Sequence, residues 1–372
     1  MKILILNQIL FTADNNVIPK VNSIKDTMIY GMCLAFLQLG HKITLAASIE
    51  YKPLLDEEYE FEIKFFRSNV KKLCPPTVLP FSIELWNYLK DKKDSYDLVV
   101  SSEVFSFPTL FAALLCPKKT LIWQELTDHQ NKFYRIPSKI WHKLIAPTII
   151  NKVSITVPRS ERAQLFIRKY VRNVSSSVVD HGININKFTY SERKERFIIS
   201  SSQLIYRKNV DGIIRMFSRF TEMEGYEDIK LLIAGRGELK IELENLVWEL
   251  NLQDKIEFLG FLTQRELNLK IRDSLCFLVN TRKDLNMVSI PEAIVSGTPI
   301  LTNLQPASAG YIHKYNLGIA KDHWNEYDLK KIVDENEMYV YNCMAYRKNL
   351  TSEYAAQRLI EIFNTRKGKE TF

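Results

Sequence analysis

The chain has 372 residues, and 51 Lys and Arg against 43 Asp and Glu give it a formal net charge of +8. At roughly 100–200 residues per domain this length implies about two domains, and 46% hydrophobic with 25% charged residues excludes a disordered or collagen-like chain. No run of about 18 apolar residues occurs, so no membrane-spanning helix is expected, and the N-terminal MKILILNQILF reads as a first strand because no small-residue cleavage site follows it.

In chain order, the first half offers strands at 2–7, 42–48, 61–66, 97–102, 119–124 and 152–158, with helices at about 24–39, 82–92, 107–115, 137–150 and 159–170. The second half repeats the scheme. Strands are expected at 196–201, 229–235, 255–260, 275–280 and 299–303, and helices at 208–221, 237–250, 264–272 and 291–296. Short apolar strands alternating with helices imply parallel sheets covered on both faces. The expected fold is therefore α/β, with two Rossmann-like domains, 1–173 and 174–350, whose sheets face an interdomain cleft. The segment 351–372, helical over about 351–366, is expected to pack back on the first domain.

Charge divides unevenly along the chain. Residues 1–180 carry 24 basic and 17 acidic groups, the remainder 27 and 26, and the window 64–172 alone holds 19 against 8. The stretches 81–93 and 134–152 mix Trp, Phe, Ile and Leu with Lys, Arg and His, a pattern that suits either an anionic membrane surface or core helices with snorkelling lysines. No helix-turn-helix, zinc finger or aromatic RNA-binding signature accompanies the charge, so nucleic acid is not an expected partner. The five cysteines are odd in number and widely spaced, which argues for reduced thiols, and the six histidines show no metal-ligand spacing.

Glycine is absent between Gly40 and Gly182, whereas Gly235, Gly237, Gly260 and Gly297 each follow an apolar strand or helix. Gly235-Arg236-Gly237 lies between a strand and a helix, an arrangement that suits either a nucleotide or a tight turn. Arg207 and Lys208 stand between a strand and a helix, where a guanidinium and an ammonium fit a diphosphate. In 281–303 two carboxylates, Asp284 and Glu292, flank Asn286, Met287, Val288 and Ser289, whose backbone N–H groups could meet a phosphate.

These residues resemble the family 4 glycosyltransferases, retaining nucleotide-sugar enzymes of the GT-B fold. The resemblance runs through HGIN at 181–184, YRKNVDGIIRMF at 206–217, LLIAGRGE at 231–238, FLGFL at 258–262 and PEAIVSGTPIL at 291–301, with GHKITL at 40–45 in the first half. It implies that Arg207 and Lys208 hold the donor diphosphate, that Gly235 and Gly237 border the nucleotide, and that Phe261 and Leu262 line the base pocket. Asp284 would contact donor-sugar hydroxyls and Glu292 the ribose, with no metal or other cofactor needed. The chain departs from the family in carrying Asp284 where Glu is usual, in replacing the following glycines by Leu285, Asn286 and Met287, and in lacking a glycine-rich loop after the first strand. A His usual after the strand at 119–124 leaves Gln124, Glu125 and His129 as alternatives.

The resemblance implies a retaining glycosyltransferase of the hexosyltransferase class. It would move a sugar from a nucleoside diphosphate sugar, bound by the second domain, to a glycan acceptor on the first. A lipid-linked acceptor in bacterial capsule, exopolysaccharide or cell-surface glycan assembly is expected, with a cytoplasmic location, peripheral at the inner membrane face if the basic stretches insert. The alternatives are a nucleotide-sugar epimerase or phosphorylase of the same fold, or a non-catalytic nucleotide-sugar-binding partner subunit.

Overall fold

Continuous apolar runs such as Ile3–Leu6 and Leu231–Ala234 are buried throughout, because helices cover both faces of the sheets they form. The computed structural model describes residues 1–11, 17–25, 27–130, 132–283 and 287–369. Two compact units result: Met1–Gly182 together with Ser352–Phe372, and Ile183–Thr351.

The first unit contains β1 (Lys2–Leu6), α1 (Met28–Gln38), β2 (Lys42–Ser48), β3 (Glu62–Phe66), α2 (Ile83–Lys92), β4 (Leu98–Ser102), α3 (Phe107–Leu115) and β5 (Thr120–Gln124). A helical stretch follows, α4 (Ile136–Ile140) running through a π-helical turn at Trp141–Ile145 into α5 (Ala146–Thr148), and then β6 (Ile155–Pro158) and α6 (Glu161–Ile167). The second unit contains β7 (Phe197–Ser201), α7 (Val210–Phe220), β8 (Lys230–Ala234), α8 (Lys240–Glu249), β9 (Ile256–Gly260), α9 (Gln264–Asp273), β10 (Phe277–Val279) and α10 (Ser289–Val295). It closes with β11 (Ile300–Thr302), α11 (Ala309–Lys314), β12 (Gly318–Ala320), α12 (Glu326–Asp334) and α13 (Asn336–Tyr346), after which α14 (Ser352–Lys369) returns to the first unit.

Both sheets are parallel and share one topology. Their orders are β3-β2-β1-β4-β5-β6 and β12-β11-β10-β7-β8-β9, so in each the first strand is central and the fourth reverses direction across the sheet. In such sheets a crevice opens beyond the carboxyl ends of the strands at that reversal.

Helix starts follow local chemistry. Thr27, Ser82, Ser106 and Ser160 each accept a backbone N–H from the first turn that follows, and Thr263 with Glu266 forms a reciprocal capping box. In α7, Val210, Ile213, Ile214, Phe217 and Phe220 form one buried stripe. The sequence reading omitted β12 and α11 to α13. Four of the five cysteines are buried and all are unbridged.

Helix α14 is part of the first core rather than an appendage. Its Ala355, Ala356, Leu359 and Phe363 join Ile29, Cys33 and Phe36 of α1 in one buried cluster under β1 and β2. Phe363 is 2% exposed, and Phe363→Ala is expected to lower stability by about 3–5 kcal/mol through the cavity it leaves, read as an earlier unfolding midpoint in urea.

Candidate functional site

In the second unit β7 and β10 are neighbours, so the loops leaving β7, β8 and β10 converge at the carboxyl edge. The first two loops are bound backbone to backbone. Ser202 N–H donates to Ala234 O at 3.1 Å, Leu204 N–H to Arg236 O at 2.9 Å, and Leu239 N–H to Leu204 O at 3.0 Å. A Cβ on Gly235 would stand 1.8 Å from Ser202 O, and one on Gly237 would stand 2.2 Å from Leu204 O. Gly235 also has φ +140°, a conformation costly for any L side chain. Both glycines are thus required by the protein's own loop packing.

Beyond that junction the chain makes a 3₁₀ turn, Tyr206–Lys208, which ends on Asn209 at φ +53° before α7 begins. Arg282, on the loop after β10, braces this turn. Its N–H donates to Arg207 O at 2.8 Å, its guanidinium donates to Tyr206 O and lies 4.1 Å from the Tyr206 ring centre, and it pairs with Asp211 at 3.2 Å. Thr281 Oγ1 adds a bond to Arg207 O at 3.1 Å. The result orients two cations over the strand ends. Arg207 donates to Lys283 O at 3.4 Å, and Lys208 Nζ lies 3.1 Å from Met287 Sδ. Ser200, Ser202, Lys208, Asn280 and Thr281 border a small cavity at the β7/β10 reversal.

Glu292 sits in the first turn of α10 and accepts from Gln264 Nε2 at 3.0 Å. Burial raises its carboxyl above the ordinary range, and the Gln264 bond offsets only part of that rise. Gly260, at φ +69°, accepts the Gly235 N–H at 2.7 Å and turns the chain so that Phe261 is 63% exposed, with the Arg236 guanidinium 5.1 Å from its ring centre. Leu262 is half-buried beside it. Of the loop before α10, Met287 is buried, Val288 is exposed and Ser289 opens the helix. Asp284 and Asn286 lie outside the described residues.

The first unit places its three alternatives differently. Gln124 is fully buried, its Oε1 accepting from Val104 N–H at 2.9 Å and its Nε2 donating to Leu126 O at 3.0 Å, so its amide holds two loops together. Glu125 is 43% exposed at its side chain and pairs with Arg159, itself 6% exposed and 3.9 Å from the Trp123 ring centre. Glu103, at φ +67°, accepts the N–H groups of Glu125 at 2.7 Å and Leu126 at 3.2 Å. Desolvation, aided by the nearby Glu125 charge, pushes the Glu103 carboxyl up to about 7.

His129 has both ring nitrogens engaged, one with Ser138 Oγ at 3.2 Å and the other with Tyr170 OH at 3.1 Å, and its ring packs edge-on to His142 and Phe166. It joins a histidine-aromatic cluster rather than the Glu125–Arg159 group. Arg282, Asp211, Arg159 and Glu103 were missed in the sequence, where only isolated charges marked them. Among the described residues no three His, Cys, Asp or Glu side chains gather in a metal-binding group.

Residues 183–337 match the family model of glycosyl transferases group 1. The solved structure of Anabaena HepE in complex with UDP superposes with a TM-score of 0.64 at 13% identity, covering 98% of this chain and 100% of that one.

The chain has the GT-B fold.

This GT-B chain is 23% identical over 203 residues to the alpha-monoglucosyldiacylglycerol synthase of Streptococcus pneumoniae, covering 50% of this chain and 45% of that protein. It is 27% identical over 231 residues to the Campylobacter jejuni N-acetylgalactosamine-N,N'-diacetylbacillosaminyl-diphospho-undecaprenol 4-alpha-N-acetylgalactosaminyltransferase, covering 56% and 60%. The chain thus matches about half the length of these curated relatives.

Two outcomes follow from the packing. Gly237→Ala should cost about 2 kcal/mol or more, because backbone stands where its Cβ must go, and a thermal melt should show the loss. Desolvation lowers the His129 and His142 pKa values below the ordinary 6.5. The unfolded chain therefore binds more protons, so stability is intact above pH about 6.5 and falls as pH drops below it. Urea midpoints at pH 7.5 and 5.5 should differ, and His142→Gln should shrink that difference.

Proposed function

We propose that the protein is a glycosyltransferase that moves a sugar from a nucleoside diphosphate sugar to a glycan acceptor. The observation that carries this reading is the braced Arg207–Lys208 turn at the β7/β10 reversal, with the β8 loop and the Glu292 carboxyl on neighbouring elements. Two cations with fixed carbonyl anchors suit a diphosphate whose negative charge grows as the glycosidic bond breaks. Arg207 would grip two phosphate oxygens and Lys208 would act as a point charge. Glu292, already desolvated, suits a ribose hydroxyl as its acceptor, and exposed Phe261 with Arg236 suits the flat face of a base.

The leaving group needs no metal in this scheme, since the cations supply the charge that an ion would. We infer retention of configuration, with the departing phosphate oxygen taking the proton from the acceptor hydroxyl as the new bond forms on the same face. Support for the donor class comes from HepE, whose structure was determined with UDP. Two curated relatives are named for a diacylglycerol product and a diphospho-undecaprenol acceptor, which favours a lipid-linked acceptor here.

The basic first unit bears on that acceptor. Helix α2, within the stretch 81–93, buries Leu85 and Leu89. The stretch from α4 into the π turn differs: Ile136, Ile140 and Leu144 are 54%, 52% and 60% exposed at successive turns, with Lys139 and Lys143 exposed beside them. No described helix is long and apolar enough to cross a membrane. An apolar stripe flanked by lysines fits the surface of an anionic bilayer, and we place membrane contact there.

Arg207→Ala and Lys208→Ala are each expected to lower transfer on the order of 10²-fold or more, measured as nucleotide release with a panel of nucleotide sugars and glycan acceptors; unchanged rates in both would remove the diphosphate assignment. Ile140→Asp together with Leu144→Asp should abolish co-sedimentation with phosphatidylglycerol vesicles while leaving the thermal midpoint unchanged.

A further inference from the structure

Of the residues that take the place of the resembled family's glycines, Met287 is the one that lies among the described residues, and it is engaged at both ends. Its carbonyl accepts the Ile290 N–H at 3.1 Å, which starts the turn into α10. Its side chain, 8% exposed, joins the buried cluster that holds Val279 of β10 with Ile290 and Ala293 of α10. The sulfur at its far end meets Lys208, whose Nζ donates to Sδ at 3.1 Å. Met287 is thus rooted in the core while its thioether covers the cation that a donor diphosphate would meet.

A thioether is a weak acceptor, whereas a bond from an ammonium to a phosphate oxygen is charge-assisted. A diphosphate therefore displaces the sulfur from Lys208, but the bulk of the methionine stays beside it. Lys208 and Met287 line the same small cavity with Ser200, Asn280 and Thr281, and close-packed surroundings leave a displaced side chain little room to retreat.

In a nucleoside diphosphate sugar the anomeric carbon carries the phosphate, and C2 is the carbon next to it. A wall beside the phosphate-binding cation therefore faces the substituent on C2. The hydroxyl of a plain hexose is compact. An acetamido group in its place adds nearly as many heavy atoms as a methionine side chain contains, so the two compete for the same space.

We propose that Met287 is a specificity-determining residue of the donor site, filling the space beside Lys208 so that hexoses with a free 2-hydroxyl are accepted and 2-acetamido sugars are rejected. This assignment rests on the glycosyltransferase reading and adds the class of donor sugar to it.

The experiment is calorimetric titration of the full chain with UDP, GDP, UDP-glucose, UDP-galactose, UDP-N-acetylglucosamine and UDP-N-acetylgalactosamine. The wild type should bind at least one plain hexose nucleotide about 10-fold or more tightly than its acetamido counterpart. Met287→Ala, which empties the space, should shrink that ratio to about 3-fold or less, chiefly by tightening the acetamido ligand. Met287→Leu, which keeps the bulk and loses the sulfur, should retain the wild-type ratio. Met287→Val takes the place of Met287→Ala if the alanine variant does not fold. Equal or tighter binding of the acetamido ligands by the wild type, an unaltered ratio in the smaller variant, or a leucine variant that shifts the ratio as far as alanine does would each overturn the proposal. A wild type that binds neither UDP nor GDP would overturn the glycosyltransferase reading and the filter with it, whereas nucleotide binding with no discrimination between the sugars overturns the filter alone.

Discussion

The organisation of the second unit depends on one close approach, that of the loop after β7 to the loop after β8, with no side chain between them. Ser202 and Leu204 exchange hydrogen bonds with Ala234, Arg236 and Leu239 across positions where only glycine fits. That contact fixes where the chain must turn next, at Tyr206–Lys208, and so fixes the height of two cations above the strand ends. The same loop brings Gly235 to Gly260 and sets the direction in which Phe261 leaves the sheet. Backbone rather than side chains thus supplies the rigid frame, and rigidity is what electrostatic stabilisation of a developing charge requires.

Charge is arranged around that frame on two levels. Arg282 is spent on Tyr206, Asp211 and the backbone, and so holds the turn that carries Arg207 and Lys208. The first unit uses a similar division of labour, with buried Arg159 stacked on Trp123 and paired to the more exposed Glu125, while Glu103 organises the backbone beneath. The excess positive charge of the first half lies elsewhere, in part on the lysines beside Ile140 and Leu144.

Much of the fold was legible because burial on both faces leaves a simple mark: apolar runs at 2–7, 97–102 and 229–235 are read as strands with no knowledge of their partners. Strand β12 left no such mark, being three residues that include Gly318, where a Cβ would stand 2.0 Å from Ile300 O. Helix α13 was hidden by its own surface, since Met338 and Tyr341 are 41% and 73% exposed and blur the stripe of Tyr339, Val340 and Cys343. In the site, Arg207, Lys208 and Glu292 could be located because strand, turn and helix signals surround them. The pairing of Arg282 with Asp211 could not, because it joins residues 71 apart in sequence. His129 was one of three alternatives in the sequence, and only the structure shows Ser138 and Tyr170 engaging both its ring nitrogens.

The return of α14 to the first unit also sets an order of events during synthesis. Residues 183–351 form a continuous stretch and hold all of their own sheet, whereas the cluster around Ile29, Cys33 and Phe36 lacks Leu359 and Phe363 until the ribosome has made everything between. The N-terminal half therefore emerges first but is completed last, with an apolar helix face waiting through the translation of an entire second unit. A nascent chain of this design presents that face to chaperones for longer than its position near the N-terminus would suggest.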